Sequence, residues 1–151
     1  MDKKELIVTA LENGTVIDHI PAAILFKIVS ILELDKIENR VTIGNNLESK
    51  MMGLKGVIKV ADKFFQPEEI NKIALLAPSA RINIIKNYEV VQKTDLQLPD
   101  QVSGLLQCVN PMCVTNRQPV SSRFDLIDRK RGILRCHYCE RMIHLSEIIL
   151  K

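Results

Sequence analysis

Four cysteines constrain this chain more than any other feature: Cys108 and Cys113, then Cys136 and Cys139. Four residues separate the first pair, 22 separate the two pairs, and two separate the last pair. Two short-range pairs brought together across a loop offer four thiolates at the corners of a tetrahedron, a geometry that zinc accepts. Each pair sits on a tight turn, and Asn110-Pro111 supplies turn residues in the first.

Disulfides are the competing use of such a set, and they need an oxidising compartment. Met1-Asp2-Lys3-Lys4-Glu5 leads straight into a mixed segment without the features of a signal peptide. A reducing, cytoplasmic setting is therefore expected, and in it a metal is favoured over bridges. The expected ion is zinc, one per chain; iron in a rubredoxin-like centre is the competitor, since a tetrahedral sulfur site suits both. The metal is expected to be structural, because a catalytic zinc keeps one coordination position open and four cysteines leave none. His144 could stand in for a cysteine, but with four thiols present a surface or supporting role fits it better. His137, inside the Cys-x-x-Cys turn, is expected to be exposed.

The cysteines divide the chain. Residues 1–107 hold 13 basic and 14 acidic side chains, whereas residues 108–151 hold eight basic and four acidic. The metal-bearing end is thus basic and expected to face something acidic, either nucleic acid or a protein surface. With 44 residues and few apolar side chains, it could hardly fold without its metal. No run of about 18 apolar residues suggests a membrane span.

In the first part the chain reads as alternating strands and helices. Leu6–Leu11 is a β-rich run closed by Asn13-Gly14, and Thr15–Ile20 is a short strand ending at Pro21. Pro21 can open a helix running from Ala22 to about Leu34, with Lys27, Ser30 and Glu33 as its polar stripe. Val41, Ile43 and Leu47 alternate with polar neighbours as a strand; Gly53–Gly56 is expected to turn the chain into a second strand, Val57–Val60. Pro67, Glu68 and Glu69 open a second helix that Pro78 ends. Short strands follow at Ile82–Ile85 and Tyr88–Gln92.

The order predicts an α+β chain: a ferredoxin-like antiparallel sheet with two helices on one face and an added strand. A small all-β metal-bound domain follows, with strands at Leu105–Gln107, Pro119–Leu126, Ile133–Arg135 and Met142–Leu150. The expected boundaries are 1–94 for the first domain, 95–104 for a linker without period, and 105–151 for the second.

The first part carries no phosphate-binding glycine loop, nucleophile elbow or metal-histidine helix motif. Asp18 and His19 lie where a strand gives way to a helix; as a catalytic pair they lack a nucleophile, and an exposed helix-capping turn is an equal reading. Lys59 and Lys93 could form a polyanion-facing surface or a solvated face.

Several stretches together resemble the regulatory chain of aspartate carbamoyltransferase. They are Gly14-Thr15-Val16-Ile17-Asp18-His19-Ile20-Pro21-Ala22, Arg40-Val41-Thr42-Ile43-Gly44-Asn45-Asn46-Leu47, Leu75–Ala80, Asn87–Val91, Pro119–Ser122 and the cysteine spacing. The resemblance implies a non-catalytic subunit whose first domain binds nucleoside triphosphates: CTP inhibits, ATP activates, and UTP acts with CTP in some members. It also implies a zinc domain docked on the catalytic chain, and homodimers of regulatory chains that bridge catalytic trimers in pyrimidine biosynthesis. Carried over by motif, Asp18 and His19 lie at the nucleotide, Lys59 by the ribose hydroxyls and Lys93 by the phosphates. Leu11, Val16, Tyr88 and Val90 line the base pocket; Asn83 matches as well, and Lys55 less closely. Thr9 and Met112 depart from the family pattern, where more polar side chains stand.

The alternative is a zinc-ribbon nucleic-acid-binding protein, on the strength of the basic C-terminal end and Arg129-Lys130-Arg131. Four phenylalanines, two tyrosines and no tryptophan supply no aromatic platform for bases, so no nucleic acid is expected.

Overall fold

The computed structural model describes residues 10–150. They divide into two compact units with the boundary between Gln97 and Leu98. The strand expected over Leu6–Leu11 falls outside the described residues except for Ala10 and Leu11, which are not in a strand.

The first unit runs β1 (Gly14–Pro21), α1 (Leu25–Ile31), β2 (Val41–Ser49), β3 (Gly53–Ala61), α2 (Pro67–Leu76), β4 (Arg81–Lys86) and β5 (Glu89–Asp95). Its sheet has the order β2-β3-β1-β4-β5, every neighbouring pair antiparallel. The first four strands give the ferredoxin-like arrangement, and β5 is the added strand on the β4 edge. Strand side chains alternate between faces, so Ile17, Ile58 and Ile82, which stand opposite one another, share one face. Those three pack into one cluster with Leu25 and Ile28 of α1 and with Ile73 and Ala74 of α2. Each such buried aliphatic side chain contributes about 1.5–3 kcal/mol relative to exposure.

Helix α1 is shorter than the periodicity suggests, and backbone geometry at both ends explains it. At its start, Pro21 to Ile24 form a turn closed by the Ile24 N–H donating to the Pro21 carbonyl, 2.9 Å. At its end Glu33 turns left-handed (φ 53°), and the N–H groups of Leu34 and Glu33 close back on the carbonyls of Val29 and Ser30. That pairing caps the helix and brings apolar Leu34 beneath Val29. Helix α2 keeps its expected start: Pro67 occupies the first turn, and Glu69 Oε1 accepts the Gln66 N–H at 3.0 Å.

Gly56 is not a turn residue. It lies within β3, where a Cβ would come 2.2 Å from Leu25 Cδ1, so the missing side chain lets α1 settle on the sheet. The chain reverses at residues 50–52 instead, ahead of Gly53 with φ 80°. Tyr88 likewise belongs to a turn and not to β5: Asn87 and Tyr88 both have positive φ (53° and 66°) between the paired residues Lys86 and Glu89.

The second unit contains β6 (Gln101–Ser103), β7 (Leu106–Gln107), α3 (Val114–Arg117), β8 (Arg123–Asp128), β9 (Ile133–Cys136), β10 (Met142–His144), a 3-10 turn (Leu145–Glu147) and β11 (Ile149–Leu150). One sheet has the order β10-β9-β8-β6, and β7 pairs with β11. Leu106, Phe124, Leu134 and Ile143 fill its small core. The strand expected from Pro119 begins only at Arg123, and the one expected over Met142–Leu150 is broken by the 3-10 turn. Residues 95–104 are structured where a linker was expected: Leu96 and Leu98 are buried, Leu96 donates to the Ala80 carbonyl, and β6 occupies 101–103. Among the described residues, no helix is long and apolar enough to cross a membrane.

Candidate functional site

The four cysteines converge. All are unbridged, and their sulfurs lie within 4.8 Å of one another, with Cys108 to Cys139 at 3.6 Å and Cys113 to Cys136 at 3.7 Å. A disulfide would bring two sulfurs to about 2 Å. A tetrahedral four-sulfur centre with metal–sulfur bonds of about 2.3 Å has edges of about 3.8 Å, close to what is seen.

Local hydrogen bonds build the two cysteine turns. Asn110 accepts the Cys113 N–H through its carbonyl and the Met112 N–H through its side chain, each at 3.0 Å. Asn116 Nδ2 donates to the carbonyls of Cys108 and Asn110, both at 2.8 Å, tying the first turn to α3. In the second turn Glu140, left-handed at φ 62°, donates to the Cys136 carbonyl, while Cys136 donates to the Arg141 carbonyl. The sulfurs are thus placed by backbone already committed elsewhere.

The electrostatics ask for a cation. Burial pushes the Cys108 thiol up to about 12, with the sulfurs of Cys139 and Cys136 adding to it against the Asn110 backbone. Burial also raises Cys136, against backbone donors at Cys139 and Tyr138. Cys139 is the exception. Burial opposes its thiolate too, but the Arg141 N–H, the Asn110 side chain and the neighbouring thiols bring it down to about 7. Four thiolates at these separations repel strongly, and a bound divalent ion is what makes all four stable together. The set therefore fits a soft, four-coordinate metal with no open position.

Neither histidine joins the cluster. His144 is exposed, and its Nδ1 lies 2.8 Å from Ser146 Oγ and accepts the Ser146 N–H. His137 is also exposed, 3.7 Å from Asp125. In the basic run Arg129-Lys130-Arg131, Arg129 bonds the Leu98 carbonyl and Asp100, and Arg131 lies 3.7 Å from Asp128.

In the first unit, the sheet face away from the helices gathers most of the remaining candidates. Thr42, Lys59, Val16, Asn83 and Lys93 stand opposite one another on β2, β3, β1, β4 and β5, forming one row across the sheet. Residues paired directly across strands share a face, and the isoleucines next to Lys59, Val16 and Asn83 take the helix face. Burial lowers the Lys59 pKa, and the charge of Asp18 works against that shift. Asn83 Oδ1 is buried without a hydrogen-bond partner among the described residues. Native structures rarely leave such an oxygen unanswered.

One end of the face holds Asp18 and His19. Lys55 Nζ lies 3.0 Å from Asp18, and the Asp18 carboxylate accepts the His19 N–H at 2.6 Å. His19 is left-handed (φ 59°) at a bulge between Ile17 and Ile20, and its carbonyl accepts from Ser79 Oγ. Its Nδ1 is buried, 3.5 Å from Asp18, without a hydrogen bond. Bulges of this kind re-aim side chains at the rim of a sheet. The opposite end holds buried Leu11 and the turn at Tyr88, whose N–H donates to the Glu12 carbonyl, with Val90 exposed beside it. Val16, Asp18, Lys59, Asn83 and Lys93 therefore share one face of the sheet. Lys55 lies beside Asp18, and strand register adds two residues to this face that the sequence alone does not point to: Thr42 opposite Lys59 and Arg81 opposite Asp18.

Comparison with known proteins follows this division. Residues 6–97 match the model of the aspartate carbamoyltransferase regulatory chain, allosteric domain, and residues 100–149 match that of its metal binding domain. The aspartate carbamoyltransferase regulatory chain of Parabacteroides distasonis is 56% identical over 149 residues, covering 99% of this chain and 97% of the relative. Those of Porphyromonas gingivalis and Pyrococcus abyssi are 52% and 46% identical, each covering at least 95% of both chains. The protein belongs to the family of aspartate carbamoyltransferase regulatory chains, non-catalytic subunits with an allosteric and a metal-binding domain.

Proposed function

We propose that this chain senses nucleoside triphosphates on the open face of its first sheet and passes the signal to catalytic chains gripped by its second unit. The observation that carries this reading is the row Lys59–Val16–Asn83–Lys93, which sets two cations and an unanswered amide oxygen on one face. In this reading Leu11, Val16, Tyr88 and Val90 receive the base, and Lys59 reaches the ribose hydroxyls. Lys93 meets the phosphates as a flexible point charge, with Asp18 and His19 beside the nucleotide. CTP, ATP and UTP are the effectors to test.

The metal in this proposal is zinc, one per chain, held by Cys108, Cys113, Cys136 and Cys139. With every coordination position filled by protein sulfur, it fixes the fold of the docking unit and takes no part in a reaction. The partner is the catalytic chain, and two regulatory chains pair through β2, which lies at the edge of its sheet with Ile43 exposed. A reducing cytoplasm, where the thiols stay available to the metal, is the proposed location.

The mechanism is linkage. An effector shifts the catalytic equilibrium only by its differential affinity for two quaternary states, and the rigid metal-held unit carries that difference across. Aspartate saturation of catalytic chains mixed with this chain, with and without CTP or ATP, tests the whole reading. A shifted half-saturation concentration is expected; identical curves with each nucleotide would refute it. Replacing Lys93→Ala should weaken triphosphate binding by about tenfold and leave nucleoside binding nearly unchanged. An equal loss for both would remove Lys93 from the phosphates.

A further inference from the structure

The open face carries one more cation, which the assignments above leave unused. Arg81 precedes Asn83 by two residues on β4, so it stands on the same face one row along, about 7 Å away. Directly across from it are Asp18 on β1 and Asp95 on β5. The row thus places a guanidinium between two carboxylates.

The two carboxylates are held very differently. Asp18 is 23% exposed, with Lys55 Nζ at 3.0 Å and the His19 N–H bonded to it. Asp95 is 73% exposed, and its one contact with Arg81 runs from Nε at 2.6 Å. An exposed pair of this kind contributes little, because water competes for both charges and ordering the side chains costs entropy. Asp18 is fixed, whereas Asp95 can be replaced.

A polyphosphate is the better partner for Arg81. It carries more charge than one carboxylate, and a guanidinium fork binds phosphate oxygens two at a time. A polyphosphate seated at Lys93 has further anionic groups to place, and Arg81 is one row away on the adjoining strand. We propose that Arg81 is a second phosphate contact on this face and that Asp95 is its resident competitor, displaced when a polyphosphate enters. Asp95 then sets how strongly the site prefers a triphosphate over shorter or uncharged ligands. The proposal rests on reading this face as the nucleotide site.

Calorimetric titration of the full chain with CTP, ATP, inorganic tripolyphosphate and cytidine tests it. Asp95→Asn, a change of charge at an exposed position, should tighten binding of the triphosphates and tripolyphosphate by about threefold and leave cytidine unchanged. Arg81→Gln should weaken the same three by about tenfold, again sparing cytidine. An Asp95→Asn chain that binds polyphosphates no more tightly overturns the proposal even if Arg81→Gln fails to fold. Loss of cytidine binding in parallel with CTP in Arg81→Gln overturns it too. Wild-type chain that takes up none of the polyphosphates removes the nucleotide reading and this one together. Wild-type binding with both variants unaltered removes Arg81 alone.

Discussion

Among the described residues, the first unit buries a cluster of fifteen apolar side chains between one sheet face and two helices, whereas the second buries six besides its cysteines: Leu98, Val102, Leu106, Phe124, Leu134 and Ile143. In a unit of that size, six buried side chains fall well short of the conformational entropy of ordering the chain. The four sulfurs supply the difference once a metal joins them, since the site does not exist in the unfolded chain and the energy of binding is therefore energy of folding. One unit is therefore held by packing spread over many contacts, the other by a single centre. The contrast also suits the proposed division of work. A sheet with a complete core on one side can leave its other face open to a ligand, and a metal-knit unit offers a rigid grip on a partner.

Breaking the metal centre should give the largest effect. Replacing Cys139→Ser leaves three thiolates and should abolish assembly with catalytic chains while nucleotide binding persists, with structural zinc sites worth about 10–16 kcal/mol. Co-sedimentation with catalytic chains checks this, and retained assembly would show that the metal unit is not the docking element. Next in size is the packed core. Ile28→Ala, at a fully buried position on α1, should cost about 2–5 kcal/mol, read from the denaturant midpoint, with metal content unchanged. Gly56→Ala should cost about 1–3 kcal/mol by forcing Leu25 and α1 away from the sheet. The smallest effect is expected at Glu69→Ala, which removes the acceptor for the Gln66 N–H at the start of α2. It should lower stability by about 0.5–1 kcal/mol without affecting either ligand.

What the sequence disclosed differs between the units for a related reason. Cysteine spacing is local, so the metal centre could be read before any fold was known, and the convergence of Cys108, Cys113, Cys136 and Cys139 follows it. Helix α2 was equally legible, because Pro67, Glu69 and Pro78 mark its ends chemically. Helix α1 was not: its periodicity continues to Leu34, but a left-handed Glu33 ends it, and glutamate carries no sequence signal for that conformation. Gly56 read as a turn because nothing local distinguishes a glycine that bends the chain from one that admits a neighbouring helix. Pro119–Ser122 looked strand-like, and the chain there enters β8 only at Arg123.

The open face was legible only as scattered residues. Lys59 and Lys93 stand out in the sequence as lysines that could face a polyanion or solvent, and Asn83 by resemblance alone; it is strand register that puts the three in one row with Val16. Arg81 escaped notice because its place beside Asp18 and Asp95 depends on pairings between residues 63 and 14 positions apart.

Amide hydrogen exchange of the full chain, followed before and after removal of the metal by a chelator, tests most directly whether the two units stand on different physical supports. Protection should collapse across residues 98–150 and persist across 10–97, with Ile17, Ile58 and Ile82 still slow. Equal loss in both units, or no loss in the second, would contradict the account.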